Sequence, residues 1–258
     1  MSALWLAVGV ALLSSVPSVA SASGCFGGEP DVRPHAGAGS LPANTQVRIA
    51  RRDAAAVSWT GPGGAMVAFD NRRVGMGRSA GHLLTPLSPL AAGTHTVRTA
   101  EPDGVHRFTV GQGLDRTPPR LRGDLALEAR FAPEPGSSCP ENIWIRATLV
   151  LPEDDYTGPD GFSYLVTVSQ ATAGPAVALL VHAESVTATT VRFRIGETGC
   201  GCLPHVPLTP GTPYRLTIRA IDVAGHVSIA GFAAEVTIPA EARPASGPAP
   251  PTSTGSPR

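Results

Sequence analysis

The chain has 258 residues, with 20 basic against 20 acidic side chains, 29 Gly, 26 Pro and 5% aromatics, and every basic residue is arginine. A formal net charge of zero with no basic cluster excludes an electrostatic nucleic-acid binder, because backbone phosphates are neutralised by concentrated positive charge. With 42% apolar and 16% charged residues the chain can fill a core and is not disordered throughout, which leaves a Gly/Pro-punctuated all-β protein.

In chain order, the apolar run Leu4 to Leu13 is followed by Ser14, Ser15 and Pro17 and then by Ser18-Val19-Ala20-Ser21-Ala22. That is the shape of a secretory signal peptide over residues 1–22, cleaved after Ala20 or Ala22. The run stops well short of the about 20 apolar residues a membrane-spanning helix needs, so no membrane span is expected. Cys25 follows Ala22-Ser23-Gly24, which looks like a degenerate bacterial lipobox and offers a lipid anchor at Cys25. The alternative, favoured by an oxidising compartment, is a half-cystine.

The four cysteines are Cys25, Cys139, Cys200 and Cys202. A bridge between Cys200 and Cys202, separated only by Gly201, would close a very tight ring against disulfide geometry. Cys139 is therefore expected to reach one of them and leave the other for Cys25.

From residue 25 to 112 short β-rich runs predict strands over Thr45–Arg51, Ala55–Thr60, Ala65–Asp70, Leu83–Leu87, Gly93–Thr99 and His106–Val110, divided by turns such as Gly61-Pro62-Gly63-Gly64 and Pro102-Asp103-Gly104. Two glycines and two prolines between Gly111 and Pro119 interrupt the pattern and mark a linker over residues 113–119. Residues 120–239 predict seven more strands, over Leu121–Phe131, Ile143–Leu151, Phe162–Gln170, Val177–His182, Thr190–Ile195, Tyr214–Asp222 and Val227–Ile238. Alternation such as Tyr164/Val166/Val168 and Leu216/Ile218/Ala220 gives each sheet one buried face. Residues 240–258 carry no apolar side chain larger than Ala apart from proline, and are expected to be a disordered tail.

Leu208-Thr209-Pro210-Gly211-Thr212-Pro213-Tyr214-Arg215-Leu216-Thr217-Ile218-Arg219-Ala220, with Asp222 and Gly225 beyond, resembles the E–F corner, F strand and F–G turn of a fibronectin type III domain. The resemblance implies a tyrosine corner in which Tyr214 packs its ring in the core and ties down the preceding loop, with Leu208 as the corner leucine. Residues 39–45 and 90–97, with Phe108-Thr109-Val110-Gly111, resemble the bacterial Ig-like domains of surface-layer and secreted proteins, departing at Thr96 where those domains usually place Tyr. The fibronectin-like strand order implies that Cys139 lies in the A–B loop and Cys200/Cys202 in the E–F loop, at one end of the sandwich. The fold class expected is two tandem Ig-like and fibronectin type III-like β-sandwiches.

Several motifs invite chemistry. Gly77-Arg78-Ser79-Ala80-Gly81 satisfies G-x-S-x-G, but the following Leu83-Leu84-Thr85-Pro86-Leu87-Ser88-Pro89 is hostile to the helix a nucleophile elbow needs. Arg122-Gly123-Asp124 is an RGD tripeptide that falls within a predicted strand. Glu153, Asp154, Asp155 and Asp160 gather carboxylates in one B–C loop and are the candidate ligands for weak calcium binding, against the alternative of a solvated turn. Cys200, Cys202 and His205, with Cys139, could ligate zinc, but disulfides compete. His35, His95, His106, His182 and His226 have no acidic or nucleophilic partner at an informative spacing and read as surface or half-buried β residues.

The expectation is an exported, non-enzymatic protein of the cell surface or envelope, secreted or periplasmic, structural or adhesive, with a protein or glycan partner and no cofactor. The alternative is an accessory module binding a metal ion or small ligand.

Overall fold

The computed structural model describes residues 32–49, 57–74, 81–99, 104–132, 142–172, 174–198 and 206–241. Among them there is no α-helix; regular structure consists of fifteen strands and two short 3-10 turns, Pro62–Gly64 and Pro159–Gly161. The chain is all-β, built as Ig/fibronectin-like sandwiches.

Seven strands form the first sandwich: β1 Val32–Arg33, β2 Val47–Ile49, β3 Ser58–Thr60, β4 Phe69–Val74, β5 Gly81–Pro86, β6 Gly93–Arg98 and β7 Val105–Val110. One sheet runs β1-β2-β5-β4 and the other β3-β6-β7, antiparallel throughout, with a parallel bridge from Leu41 to Val110 closing the N-terminal edge. In the letters of Ig folds this is A-B-E-D against C-F-G. The two inner faces meet around Trp59 on the C-equivalent strand, which is fully buried against Phe69, Phe108 and His95. Removing such a side chain would cost about 3–5 kcal/mol, since transfer and cavity terms add.

The second sandwich comprises β8 Leu125–Ala132, β9 Asn142–Val150, β10 Ser163–Gln170, β11 Val177–His182, β12 Ser185–Val186, β13 Thr190–Thr198, β14 Pro213–Ile221 and β15 Phe232–Thr237. The sheets are β12-β13-β9-β8 and β11-β10-β14-β15. Period-2 patterning places the predicted faces as expected: Tyr164, Val166 and Val168 on β10 and Leu216, Ile218 and Ala220 on β14 are all buried in one core.

The differences from the sequence reading have local causes. The strand placed at Ala65–Asp70 starts only at Phe69, because the preceding residues fold back on the edge of β3 through a Val67 amide bond to the Trp59 carbonyl. The last strand starts at Phe232 rather than Val227: Val227 bridges back to Ile221, and the Ser228 hydroxyl bonds the Ala230 carbonyl, so the chain turns before it can pair. The RGD tripeptide lies outside the strand predicted for it, in an exposed turn before β8 with Gly123 at φ +72°. Its Arg122 is held by Glu153 at 2.7 Å. Ser79 lies outside the described residues, and Gly81 opens strand β5 rather than a helix.

Candidate functional site

Alternation along β2 sends Val47 and Ile49 into the first core and Arg48 out through the opposite face of the sheet. Arg48 is nevertheless only 3% exposed, because the tip of the second sandwich rests on that face. Its guanidinium donates to the Ser163 hydroxyl at 3.0 Å and to the Asp222 carbonyl. The Ser163 hydroxyl is also within hydrogen-bond distance of His182 Nδ1, at 3.0 Å. Burial pushes the Arg48 guanidinium down to about 10, with the Asp222 carboxylate opposing and Arg33 adding to the fall, so it stays charged at neutral pH.

Around this charge the F–G turn of the second sandwich plugs into the first. Val223 is buried in the first sandwich's core, its carbonyl accepts the Gln46 amide at 2.7 Å and its amide bonds the Thr157 hydroxyl at 3.1 Å. Gly225 sits at φ +94°, and a Cβ there would collide with the Gln46 side-chain amide. Glycine is favoured here by the positive φ, and any Cβ would in addition have to displace the end of the Gln46 side chain. The connecting stretch is fixed as well: the Asn44 side chain bonds both the carbonyl (2.9 Å) and the amide (3.0 Å) of Asp115, and the Ala43 amide bonds the Gly113 carbonyl at 2.7 Å.

Three potential metal ligands converge in this joint. Asp115, Asp222 and His226 each present one donor atom, all within 4.8 Å of one another. The His226 amide donates to Asp222 Oδ1 at 2.9 Å, and His226 Nδ1 lies 3.1 Å from Asp222 Oδ2 and 3.9 Å from Asp115 Oδ2. Asp115 spends its other oxygen on the Thr117 amide at 2.9 Å, an Asx-type turn. Burial lifts the carboxyl of Asp115 above its ordinary range; the Thr117 amide and His226 pull it back, and Asp154 and Asp155 push it further. Asp222 is lifted by burial too, opposed by the His226 amide and ring and reinforced by Asp115 and Asp154. A buried carboxylate beside other carboxylates is held at a cost that a cation or a proton relieves.

The residues singled out from the sequence lie elsewhere or serve structure. In the B–C loop Glu153 pairs with Arg122, and Asp154 Oδ2 accepts the amides of Tyr156 (3.0 Å) and Thr157 (2.6 Å). Asp155 is exposed, and Asp160 falls in the 3-10 turn Pro159–Gly161. The convergent donors among the described residues are thus a different set. The Tyr214 hydroxyl accepts the Thr209 amide at 2.9 Å, with the ring buried and Leu208 5% exposed beside it, the geometry of a tyrosine corner. Cys25, Cys139, Cys200, Cys202 and His205 lie outside the described residues. The register nonetheless sets Ala132 and Thr198 on either side of Asn142, so the A–B and E–F segments leave from adjacent strand ends.

His226, His182 and His95 have partners in the fold. His226 is paired with Asp222 and His182 with Ser163. His95 is 1% exposed, accepts the Trp59 indole N–H on Nδ1 at 3.2 Å and therefore donates from Nε2 to the Ala91 carbonyl at 2.8 Å. The i,i+4 pair Asp222/His226 across a glycine turn was a signal within the sequence; the arrival of Asp115 from a stretch 107 residues earlier (222 − 115) was not. On the outer face of the second sandwich Trp144 is closed off by Arg146 at 4.7 Å and Arg130 and Arg194 at 5.9 Å, with Glu128 and Glu184 pairing two of them. It offers no exposed aromatic platform.

No family model and no curated protein sequence matches this chain. Among solved structures, the chain is similar to the chicken CNTN1 FN1–FN3 domains, with 11% identity, 82% of this chain and 67% of that one covered, and a TM-score of 0.33. A titin Ig tandem gives 13% identity, 83% and 97% coverage and a TM-score of 0.21. A pullulanase from Anoxybacillus sp. LM18-11 gives 10% identity and a TM-score of 0.21, over 76% of this chain but only 24% of the enzyme. Likenesses this loose carry no argument, and the assignment of an Ig/fibronectin-like all-β fold stands on the strand order and cores described above.

Proposed function

We propose that the chain is an exported, non-enzymatic pair of β-sandwich modules, the first of bacterial Ig-like and the second of fibronectin type III-like type, serving as a structural or adhesive element at the cell surface or envelope. The observation that carries this reading is the buried joint. Arg48 of one sandwich is desolvated against Ser163 and Asp222 of the other, and Val223 is built into the partner's core. Burying a charge between modules is costly unless its bonds are satisfied, so the arrangement supports a unit of fixed geometry that holds its distal loops at a set distance and angle. Such a unit suits a spacer or presenter of a protein- or glycan-binding surface in an oxidising compartment. The signal-like residues 1–22 and the four cysteines support export.

The test is expression of the full chain in a bacterial host, with fractionation, intact-mass measurement and small-angle scattering of the recovered protein. The expected result is a chain shortened at Ala20 or Ala22, outside the cytoplasm, scattering as one rigid body. An unprocessed cytoplasmic chain, or scattering from two independently moving modules, would overturn the reading.

A further inference from the structure

We propose that Asp115, Asp222 and His226 form a binding site for a borderline divalent transition-metal ion of the zinc class, which clamps the connecting stretch to the F–G turn of the second sandwich. The donor set is two carboxylate oxygens and one imidazole nitrogen, chemistry that suits Zn²⁺ or Co²⁺ better than Ca²⁺, which takes six to eight oxygens. The donor separations of 3.1 and 3.9 Å bracket the about 3.3 Å between ligand atoms around a tetrahedral ion with bonds of about 2.0–2.1 Å.

An independent observation points to a missing partner. Asp115 is only 2% exposed, yet its Oδ2, the atom turned toward Asp222 and His226, has no hydrogen bond. A buried carboxylate oxygen left without a donor is a costly arrangement that native proteins rarely keep without a reason. Asp222 is fully buried, and Asp154 adds negative potential to both carboxylates. The nearby buried cation, Arg48, turns its donors to the Asp222 carbonyl and Ser163 rather than to these oxygens. His226, with its side chain 31% exposed, gives an ion a route in. The Asp222 contact to the His226 amide and the Asn44 brace on Asp115 orient the ligands from behind.

The experiment uses the full chain with its cysteines oxidised, stripped with chelator and titrated with ZnCl₂, CoCl₂ or CaCl₂ alone, followed by calorimetry, thermal melting and cobalt absorption spectroscopy. One zinc per chain is expected, with a rise in melting temperature and a cobalt spectrum lacking the thiolate charge-transfer band. Asp115→Asn and His226→Gln should each weaken zinc by more than roughly 100-fold, beyond the loss seen for outer-shell changes. Asp115→Asn removes a buried charge and should fold; should it not, the half-exposed His226→Gln carries the test. The proposal is overturned by absence of binding at millimolar zinc, by calcium binding in preference to zinc, by undiminished binding in the variants, or by a thiolate band locating the ion on the cysteines. The proposal does not depend on export: zinc binding could fail while the protein is still exported and rigid, and the reverse.

Discussion

Replacing Arg48 by Met keeps most of the side chain's length and its contact with the sheet while deleting the charge at the centre of the joint. Arg48 makes two bonds across the interface, to the Ser163 hydroxyl and to the Asp222 carbonyl. Hydrogen bonds to charged groups are worth roughly 1.5–3 kcal/mol each, so the gross loss is about 3–6 kcal/mol. Relief of the guanidinium's desolvation offsets part of this, while the attraction between the guanidinium and the fully buried Asp222 carboxylate is lost. The net expectation is a loss of about 3 kcal/mol, which lies in the range for breaking one partner out of a buried charged contact. It should appear in guanidinium unfolding followed by tryptophan fluorescence, for which Trp59 reports the first sandwich and Trp144 the second. Hydrogen exchange localises the effect: the Gln46 and Val223 amides, which bond across or beside the joint, should lose protection, while amides in the β9–β13 ladder should not. A stability loss below about 1 kcal/mol, the worth of one ordinary hydrogen bond, with unchanged exchange at both joint amides would refute the reasoning.

Tyr214→Phe should cost about 1–2 kcal/mol, because the Thr209 amide loses its acceptor; a change under about 0.3 kcal/mol in a denaturant titration would remove the corner from the stability account. Gly225→Ala combines a positive φ with a collision against Gln46 and should open the joint, read as increased interdomain flexibility in scattering with both sandwiches still folded; retention of the native scattering curve would count against it. Non-reducing peptide mapping should link Cys139 to Cys200 or Cys202, since the A–B and E–F segments leave adjacent strand ends; recovery of a Cys200–Cys202 bridge would reverse that pairing.

Much of each sandwich was readable locally. Side chains alternate across a strand with a period of two, so Tyr164, Val166 and Val168 had to share a face wherever the sheet lay. The corner at Leu208 to Tyr214 was readable because its contact spans only five residues, from Thr209 to Tyr214. Strand ends were less legible: Phe69 and Phe232 begin their strands late because neighbouring edges and turns capture the preceding backbone. Histidine partners were illegible for a related reason, as His95 finds Trp59 on another strand and His182 finds Ser163 only once β10 and β11 are in register.

By itself, the sequence determined an all-β chain of two patterned segments, because Gly and Pro punctuation and period-2 burial are properties of short windows. Tertiary structure alone decided how the segments meet. Arg48, Asp115, Ser163 and Asp222 look like ordinary surface residues of strands and loops, and are buried where one sandwich's tip sits on the other's outer face. A carboxylate acquires an unmet need for a cation when desolvation and neighbouring charges act on it together. Asp115 and Asp222 come together across a separation of 107 positions (222 − 115), a distance that no local pattern spans.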